Sequence, residues 1–235
     1  MSKLVLIRHG QSQWNVKNKF TGWLDVDLSE TGVKQAQNAG KLLLKNGIKF
    51  DYAYTSVLTR AIRTLHYALY YSHQLWVPEM KTWRLNERHY GALQGLNKKK
   101  TADKYGAKQV HIWRRSYDTL PPLLKGPNGE YAAINDRRYA NLDPNIRPRG
   151  ENLQVTLKRV MPLWEDQIAP KLLDGKNVVI AAHGNSLRAL TKYIERISDD
   201  DIMNVEMGLG QPVVYTLDSK LHVTDKKKLG HQMND

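Results

Sequence analysis

The sequence predicts an α/β fold with a mostly parallel sheet. Two short apolar runs, at residues 3–7 and 177–182, have the composition of strands that are buried on both faces of a sheet. Between and after these runs lie segments whose apolar residues recur at helical spacing. Strands that alternate with helices form βαβ units, and such units place neighbouring strands parallel.

The first part of the chain contains two of these strand–helix units. Ser29 is a good cap for a helix that runs to about Asn46, and Gly47 suits the end of that helix. A strand is predicted over residues 51–55, and Ser56 is predicted to cap the helix that follows. One face of this second helix is apolar and comprises Val57, Ala61, Ile62, Leu65, Ala68 and Leu69.

Residues 74–150 differ from the rest of the chain because they are rich in Pro, Gly, Lys and Arg. We predict short helices and long loops here. Long irregular segments in compact domains are usually functional. The segment is therefore predicted to be an insertion that covers one end of the sheet.

Regular structure is predicted again after residue 150. Apolar residues indicate a long helix over residues 153–172, which Pro162 and Pro170 kink or end. The second buried strand, residues 177–182, is followed by a helix over residues 185–197. A last strand is predicted over residues 212–217.

The composition excludes several classes of protein. The 235 residues include 36 Lys and Arg against 23 Asp and Glu, which gives a net charge of +13, and 41% of them are apolar. That apolar share excludes a disordered or collagen-like chain. The absence of cysteine excludes disulfide frameworks, thiolate metal sites and cysteine nucleophiles. The longest apolar runs have five residues, whereas a membrane helix needs about 20, so we expect a cytoplasmic protein with no membrane partner.

Both buried strands run into a histidine followed by a glycine, in RHG at residues 8–10 and in HGN at residues 183–185. Ligands of open α/β sheets bind beyond the carboxyl ends of the strands. If the two strands are neighbours, the two imidazoles face each other there. A single histidine at a strand end is more often structural, but the matched pair favours a functional site.

The residues after the second histidine suit an anion. Asn185 is predicted to cap the following helix, whose free backbone N–H groups then point toward His183 and can bind a negative group. An ordinary capped helix explains the same residues equally well.

Arginines occur near the same end of the predicted sheet. Arg8 adjoins the first histidine, Arg60 lies in the first turns of the second helix, and Arg114 and Arg115 lie in the insertion. A guanidinium group matches phosphate oxygens in pairs and stays charged. Most of the basic residues are expected to be solvated surface cations, but Arg8 directly follows a buried strand, where an unpaired charge is costly.

Glu87 is a candidate for proton transfer to and from a substrate hydroxyl. An ion pair with Arg84 or Arg88 is the simpler explanation from the sequence alone. The two strand ends offer no carboxylates beside the histidines, and arginines oppose metal binding. We therefore predict a histidine nucleophile in a metal-free pocket, where arginines stabilise the transferred phosphoryl group.

Longer motifs around these residues resemble a known family. LIRHGQS at residues 6–12, with WN at 14–15, is similar to the signature of the histidine phosphatase superfamily. More narrowly, the chain resembles the cofactor-dependent phosphoglycerate mutases, over about residues 3–218. The supporting segments are FTGW at residues 20–23, LTRAI at 58–62, LNERHYGALQGLN at 85–97, WRR at 113–115 and AAHGNSLRAL at 181–190.

The resemblance implies a fold and an activity. The fold is a three-layer α/β/α sandwich, here a single domain over residues 1–235, with the insertion at about 74–150 over the active site and a short basic tail at 219–235. The activity is the glycolytic interconversion of 3-phosphoglycerate and 2-phosphoglycerate. 2,3-Bisphosphoglycerate is the priming phosphoryl donor and no metal is needed. Members are often homo-oligomers, either dimers or tetramers.

The resemblance also assigns roles to residues. His9 matches the phosphorylated nucleophile, Glu87 the proton donor and acceptor, and His183 the second histidine that assists at the transition state. The substrate-binding positions are Arg8, Gly10, Ser12, Asn15, Thr21, Gly22, Arg60, Arg88, His89, Tyr90, Lys98, Arg114, Arg115, Gly184 and Asn185.

Three features depart from the family pattern. EMGLGQ at residues 206–211 replaces the usual proline-threonine-glycine turn, residues 98–100 are more basic, and the tail is short. Two alternatives to the mutase therefore stay open. One is a phosphatase in which water takes the phosphoryl group from His9. The other is nucleic-acid binding by the surplus charge, with residues 226–228 as the best candidate, which we expect to be a side activity at most.

Overall fold

The computed structural model describes residues 1–125 and 135–230. Its strands are β1 (Ser2–Arg8), β2 (Tyr52–Thr55), β3 (Glu79–Lys81), β4 (Val178–Ala182), β5 (Pro212–Leu217) and β6 (Val223–Lys228). Its α-helices are α1 (Gln13–Val16), α2 (Glu30–Lys45), α3 (Thr59–Tyr71), α4 (Lys98–Tyr105), α5 (Ala107–Arg115), α6 (Leu153–Leu163), α7 (Ala169–Leu173) and α8 (Gly184–Glu195). A π-helix joins α6 to α7, and short 3-10 helices lie at Trp83–Leu85, Gly91–Leu93, Arg137–Tyr139, Pro144–Ile146 and Asp201–Asn204.

Within the described residues the strands form one six-stranded sheet in the order β3-β2-β4-β1-β5-β6. The four strands from β3 to β1 are parallel to one another, whereas β5 is antiparallel to β1 and β6 is antiparallel to β5. The prediction of a mostly parallel sheet is confirmed. The two apolar runs that predicted it form β1 and β4, which are neighbours at the centre of the sheet.

Helices cover both faces of this sheet. Leu4 and Leu6 of β1 face a buried cluster that α6 and α8 complete, while Val5 and Ile7 of the same strand face a cluster with α2 and α3. Burial of each such side chain stabilises the fold by about 1.5–3 kcal/mol. Since alternate residues of a strand point to opposite faces, the continuous apolar run of β1 supplies both cores. The three-layer α/β/α prediction is confirmed.

Some helix ends agree with those predicted from the sequence, and others differ from them. The Ser29 side chain accepts a hydrogen bond from Gly32 N–H and caps α2, as predicted. The prediction that Ser56 caps the next helix is wrong, because α3 begins at Thr59 and Leu58 is its capping residue. The long helix predicted after residue 152 is interrupted where Pro162 and Pro170 indicated, and the π-helix lies between them.

The basic tail contains a strand that the sequence did not indicate. Residues 223–228 form β6, which pairs with β5 at the edge of the sheet. The three lysines at residues 226–228 are exposed on this edge strand. Charged side chains on an edge strand hinder pairing with another chain, which gives this charge run a structural explanation. The rest of the predicted tail, residues 231–235, lies outside the described residues.

The insertion predicted at residues 74–150 contains β3, α4, α5 and several 3-10 helices, and its residues 126–134 lie outside the described residues. The extent of the single domain, residues 1–235, stays a prediction. Over residues 1–125 and 135–230, none of the helices combines the length and apolar character that a membrane span requires.

Candidate active site

The pairing of β1 with β4 brings the two histidines together. Arg8 and Ala182 are opposite each other in the parallel register, and the backbone N–H of His9 donates to the carbonyl oxygen of Ala182 at 2.9 Å. The His9 and His183 rings follow directly, and their centroids are 5.0 Å apart. The juxtaposition predicted from the two HG sequences is therefore present.

Both imidazoles are neutral near pH 7. Burial, followed by the charges of Arg60 and Arg8, lowers the pKa of His9 well below its usual value. Burial and then Arg60 do the same to the pKa of His183. The Nδ1 atom of His9 is 2.6 Å from the carbonyl oxygen of Gly10. Since a carbonyl oxygen only accepts, Nδ1 carries the ring proton and Nε2 keeps its lone pair.

Two guanidinium groups, one of the buried Arg60 and one of the partly buried Arg8, lie near the histidines. Arg8 Nη1 donates to the carbonyl oxygen of Met207 at 2.9 Å, and Arg60 donates to the carbonyl oxygens of Leu24 and Gly22 at 2.8 Å each. Burial lowers the pKa of Arg60 to about 10, and burial also lowers the pKa of Arg8. The Nε atoms of both arginines are buried without a hydrogen-bond partner among the described residues. Both side chains line the same cavity, where their positive charge favours an anionic ligand.

The backbone conformation at position 22 requires a glycine. Its φ of +56° lies in the left-handed region, and a Cβ atom there would come within 2.0 Å of Gln94 Oε1. Gln94 Oε1 in turn accepts from the N–H of Trp23 at 2.9 Å. This turn places the Gly22 carbonyl where Arg60 binds it, so the turn helps to fix the guanidinium.

The carboxylate of Glu87 binds backbone N–H groups. Its Oε1 accepts from Asn185 N at 3.0 Å and from Arg88 N at 2.8 Å. The alternative explanations from the sequence are not observed, because the Arg84 and Arg88 side chains donate to backbone carbonyl oxygens instead. Glu87 therefore lies at the N-terminus of α8, where the free N–H groups favour a negative charge.

The start of α8 differs from the prediction. His183, not Asn185, is the capping residue, and Asn185 lies in the first turn. Its side-chain amide donates to the hydroxyl of Tyr90 at 3.0 Å, and its Oδ1 accepts from Arg188 at 3.0 Å. Burial raises the pKa of Tyr90, but the charges of Arg88 and other nearby cations outweigh burial and lower it overall.

Thirteen of the predicted site residues line one cavity of about 130 Å³. They are Arg8, His9, Asn15, Thr21, Gly22, Arg60, Glu87, Tyr90, Lys98, Arg114, Arg115, Gly184 and Asn185. Burial lowers the pKa of Lys98, as expected for an amine in a wall already rich in cations. The cavity combines a lone-pair imidazole, a carboxylate and several positive groups.

Five predicted residues do not line that cavity. His183 is fully buried beside His9, and Arg88 and His89 are buried in the insertion. The Ser12 side chain caps α1 and donates to the side chain of Asn15, which does line the cavity. Gly10 serves packing, because a Cβ atom there would come within 2.2 Å of the Gly32 carbonyl oxygen.

Comparison with known proteins identifies the family. The family model of the histidine phosphatase superfamily (branch 1) matches residues 4–141. The chain is 74% identical to 2,3-bisphosphoglycerate-dependent phosphoglycerate mutase 2 of Lactiplantibacillus plantarum, over 98% of this chain and 100% of the relative. The chain belongs to the phosphoglycerate mutases of the histidine phosphatase superfamily. The mutase of Enterococcus faecalis is 62% identical, over 96% of this chain and 99% of its own length.

Solved structures of other proteins have the same fold as this phosphoglycerate mutase family member. A mycobacterial glucosyl-3-phosphoglycerate phosphatase superposes with a TM-score of 0.71 at 23% identity, over 97% of each chain. The alpha-ribazole phosphatase of Shigella flexneri gives 0.68 at 22% identity, over 98% of this chain and 96% of its own.

Sequence reasoning missed six residues of the site of this mutase family member. Five of them line the cavity: Lys19, Phe20, Arg188, Glu206 and Met207. The sixth, Ser56, contacts the His183 ring. Arg188 and Phe20 lie inside the motifs that carried the resemblance, and Glu206 begins the segment that departs from it. The matched motifs could therefore have indicated Arg188 and Phe20, and the departing segment could have indicated Glu206.

Proposed function

We propose that the protein interconverts 3-phosphoglycerate and 2-phosphoglycerate through a phosphoryl group carried on His9. The observation that supports this most directly is the pairing of β1 with β4. It places two neutral imidazoles 5.0 Å apart, near the guanidinium groups of Arg60 and Arg8. The relatives named as mutases match the chain over almost its whole length.

The residues of the cavity fit 2,3-bisphosphoglycerate. Each of its phosphates has a charge of about −1.5 to −2 near neutral pH. The cavity wall offers arginine and lysine side chains, and the Nε atoms of Arg8 and Arg60 have no partner within the described residues. When bound, this cofactor would supply the phosphoryl group that His9 carries.

His9 and Glu87 have complementary roles in this proposal. The Gly10 carbonyl holds the proton of His9 on Nδ1, so Nε2 forms the bond to phosphorus. When the phosphoryl group moves to a substrate hydroxyl, the phosphorus–Nε2 bond breaks and Glu87 accepts the hydroxyl proton. Glu87 returns the proton when the other phosphate leaves for His9. Arg8, Arg60 and His183 stabilise charge on the phosphoryl oxygens.

Two measurements test the function. After exposure to 2,3-bisphosphoglycerate, we expect mass spectrometry to find one acid-labile, base-stable phosphoryl group on His9, and none on His9→Ala. With 3-phosphoglycerate as substrate, phosphorus NMR should show isomerisation exceeding phosphate release. Dominant phosphate release with negligible isomerisation would favour the phosphatase alternative.

We also propose that the protein acts in the cytoplasm as a homo-oligomer. β3 is an edge strand, and large apolar side chains are exposed on or near it: Tyr70, Leu75, Met80 and Trp76, the last with 73% of its surface accessible. A second copy covering this face would bury them. Sedimentation velocity should show at least a dimer, and Trp76→Glu should shift it toward monomer.

A further inference from the structure

Arg188 binds the side chain of Asn185 near the start of α8. The two residues are three positions apart in the helix, so their side chains lie on the same face. Arg188 Nη1 donates to Asn185 Oδ1 at 3.0 Å, and Arg188 Nη2 donates to the carbonyl oxygens of Arg115 and Ile202. These contacts hold the guanidinium at one place beside the cavity that Arg188 and Asn185 both line.

The guanidinium determines which way the Asn185 amide faces. A guanidinium group has N–H donors and no acceptor. Burial lowers the pKa of Arg188 to about 10, so the group stays charged near pH 7. If the amide were turned the other way, its NH2 group would face these N–H groups and the hydrogen bond would be lost, which is costly for buried side chains. The Oδ1 atom of Asn185 therefore faces Arg188, and the NH2 group faces away from it.

The NH2 group of Asn185 donates to the hydroxyl of Tyr90 at 3.0 Å. An amide nitrogen does not accept, so the Tyr90 oxygen is the acceptor in this contact and its own proton points elsewhere. The Tyr90 ring is held in place, because its centroid lies 5.1 Å from that of Phe20 and 4.8 Å from the guanidinium carbon of Arg88. Among residues 1–125 and 135–230 the hydroxyl has no acceptor for its proton, and Tyr90 lines the cavity, where a ligand can accept it.

We infer that Arg188 is a positioning residue, which orients the Asn185 amide so that the Tyr90 hydroxyl donates its proton to an anionic ligand in the cavity. This inference rests on the proposed function, because the ligand is the phosphate or carboxylate of a phosphoglycerate. Without the guanidinium the amide can turn, and its Oδ1 atom then accepts the Tyr90 proton. That internal hydrogen bond competes with the ligand, so binding weakens.

The first test requires neither ligand nor activity. In wild-type protein labelled with ¹⁵N-asparagine, NMR should show a nuclear Overhauser effect between the Nδ2 protons of Asn185 and the Tyr90 ring. The two sets of signals are assigned by their loss in Asn185→Ala and in Tyr90→Phe. The effect should weaken in Arg188→Met, which has no donor to hold the amide. Its absence from the wild type, or an unchanged effect in Arg188→Met, would overturn the inference.

A double-mutant cycle of Arg188→Met with Tyr90→Phe supplies the second test. Calorimetry measures the binding of 3-phosphoglycerate to the unphosphorylated protein. Arg188→Met should weaken binding in both backgrounds, since it removes a positive charge from the cavity wall. The loss should be larger by about threefold or more when the Tyr90 hydroxyl is present. A purely structural role, or an effect of charge alone, predicts equal losses with and without the hydroxyl.

Arg147→Met is the matched control for the loss of an arginine. The Arg147 guanidinium donates to the carbonyl oxygens of Ala140 and Leu142, and the residue lies outside the cavity wall. This variant should bind 3-phosphoglycerate as the wild type does. A loss in Arg147→Met as large as that in Arg188→Met would contradict a specific role of Arg188.

The outcomes separate this inference from the proposed function. Equal losses in the two backgrounds would contradict the positioning role even if His9 is phosphorylated normally. If Arg188→Met fails to fold, the wild-type spectrum and a cycle of Asn185→Ala with Tyr90→Phe decide, because independent effects there would mean that Asn185 does not direct the hydroxyl. Absence of phosphohistidine on the wild type, with the NMR effect and the coupling both present, would instead contradict the proposed function alone.

Discussion

Arg159 and Glu151 form an ion pair that is almost wholly buried. Arg159 Nε lies 2.7 Å from Glu151 Oε1, with 5% and 1% of the two side chains accessible to solvent. Arg159 also donates to the backbone carbonyl oxygens of Arg84 and Glu87, at 2.6 and 3.3 Å. Helix α6 thereby holds the segment that presents the Glu87 carboxylate to the cavity.

Removal of this carboxylate charge should destabilise the protein strongly. Glu151→Gln leaves the Arg159 charge buried without a counter-ion, and breaking a buried pair in this way costs about 3–5 kcal/mol. Urea unfolding measures the loss. The control is Asp199→Asn, because Asp199 pairs with Lys192 at an exposed position, where less than about 1 kcal/mol is expected. Equal losses in the two variants would contradict the assigned role of the buried pair.

The two active-site histidines should make stability depend on pH. In the folded protein the pKa of each lies well below the 6.5 of an unperturbed imidazole, mainly because of burial. Below that value the unfolded chain binds protons that the folded chain does not. The free energy of unfolding should therefore fall as the pH drops through about 6.5 toward the folded-state pKa.

Urea unfolding at a series of pH values, with His9→Asn as the comparison, tests this dependence. The variant lacks one of the two depressed groups, so its stability should fall less steeply between about pH 7 and pH 5.5. A steeper decline in the variant, or a wild-type stability that rises as the pH falls, would show that His9 is not held neutral.

Metal chelation should leave the reaction rate unchanged. The proposed mechanism neutralises phosphoryl charge with Arg8, Arg60 and the other cations of the cavity wall. Guanidinium groups provide this charge without a metal ion. Steady-state rates before and after dialysis against EDTA should agree, and a loss that magnesium or zinc restores would require a different source of positive charge.

The local sequence was sufficient where the structure depends on local patterns. Apolar runs predicted β1 and β4, and the HG pairs after them predicted the histidine juxtaposition. The local sequence did not predict features that depend on contacts between residues far apart in the chain. Ser56 looks like a helix cap, but its hydroxyl is engaged by a residue 127 positions away. The lysine-rich β6 lacks an apolar pattern and forms by pairing with β5.

The residues that line the cavity also divide into those that local motifs predicted and those that the sequence did not indicate. Twelve of its thirteen predicted lining residues lie in the motif segments that carried the resemblance, and Lys98 directly follows one of these segments. Glu206 was not predicted; it lines the cavity and contacts Arg115, which is 91 positions away in the sequence.

That contact gives the last prediction. The Glu206 carboxylate pairs with the guanidinium of Arg115, and both line the cavity where an anionic substrate is proposed to bind. A substrate phosphate or carboxylate must therefore compete with Glu206 for this arginine. Exposed pairs of this kind contribute less than about 1 kcal/mol, which corresponds to at most about a fivefold change in binding.

Glu206→Gln should accordingly lower KM for 3-phosphoglycerate by about two- to fivefold with little change in kcat. The difference from wild type should shrink at high salt, since salt screens exposed charges. Asp199→Asn removes an exposed carboxylate outside the cavity wall and controls for the change in net charge. An unchanged or raised KM in Glu206→Gln, or an equal decrease in the control, would mean that Glu206 does not compete with the substrate for Arg115.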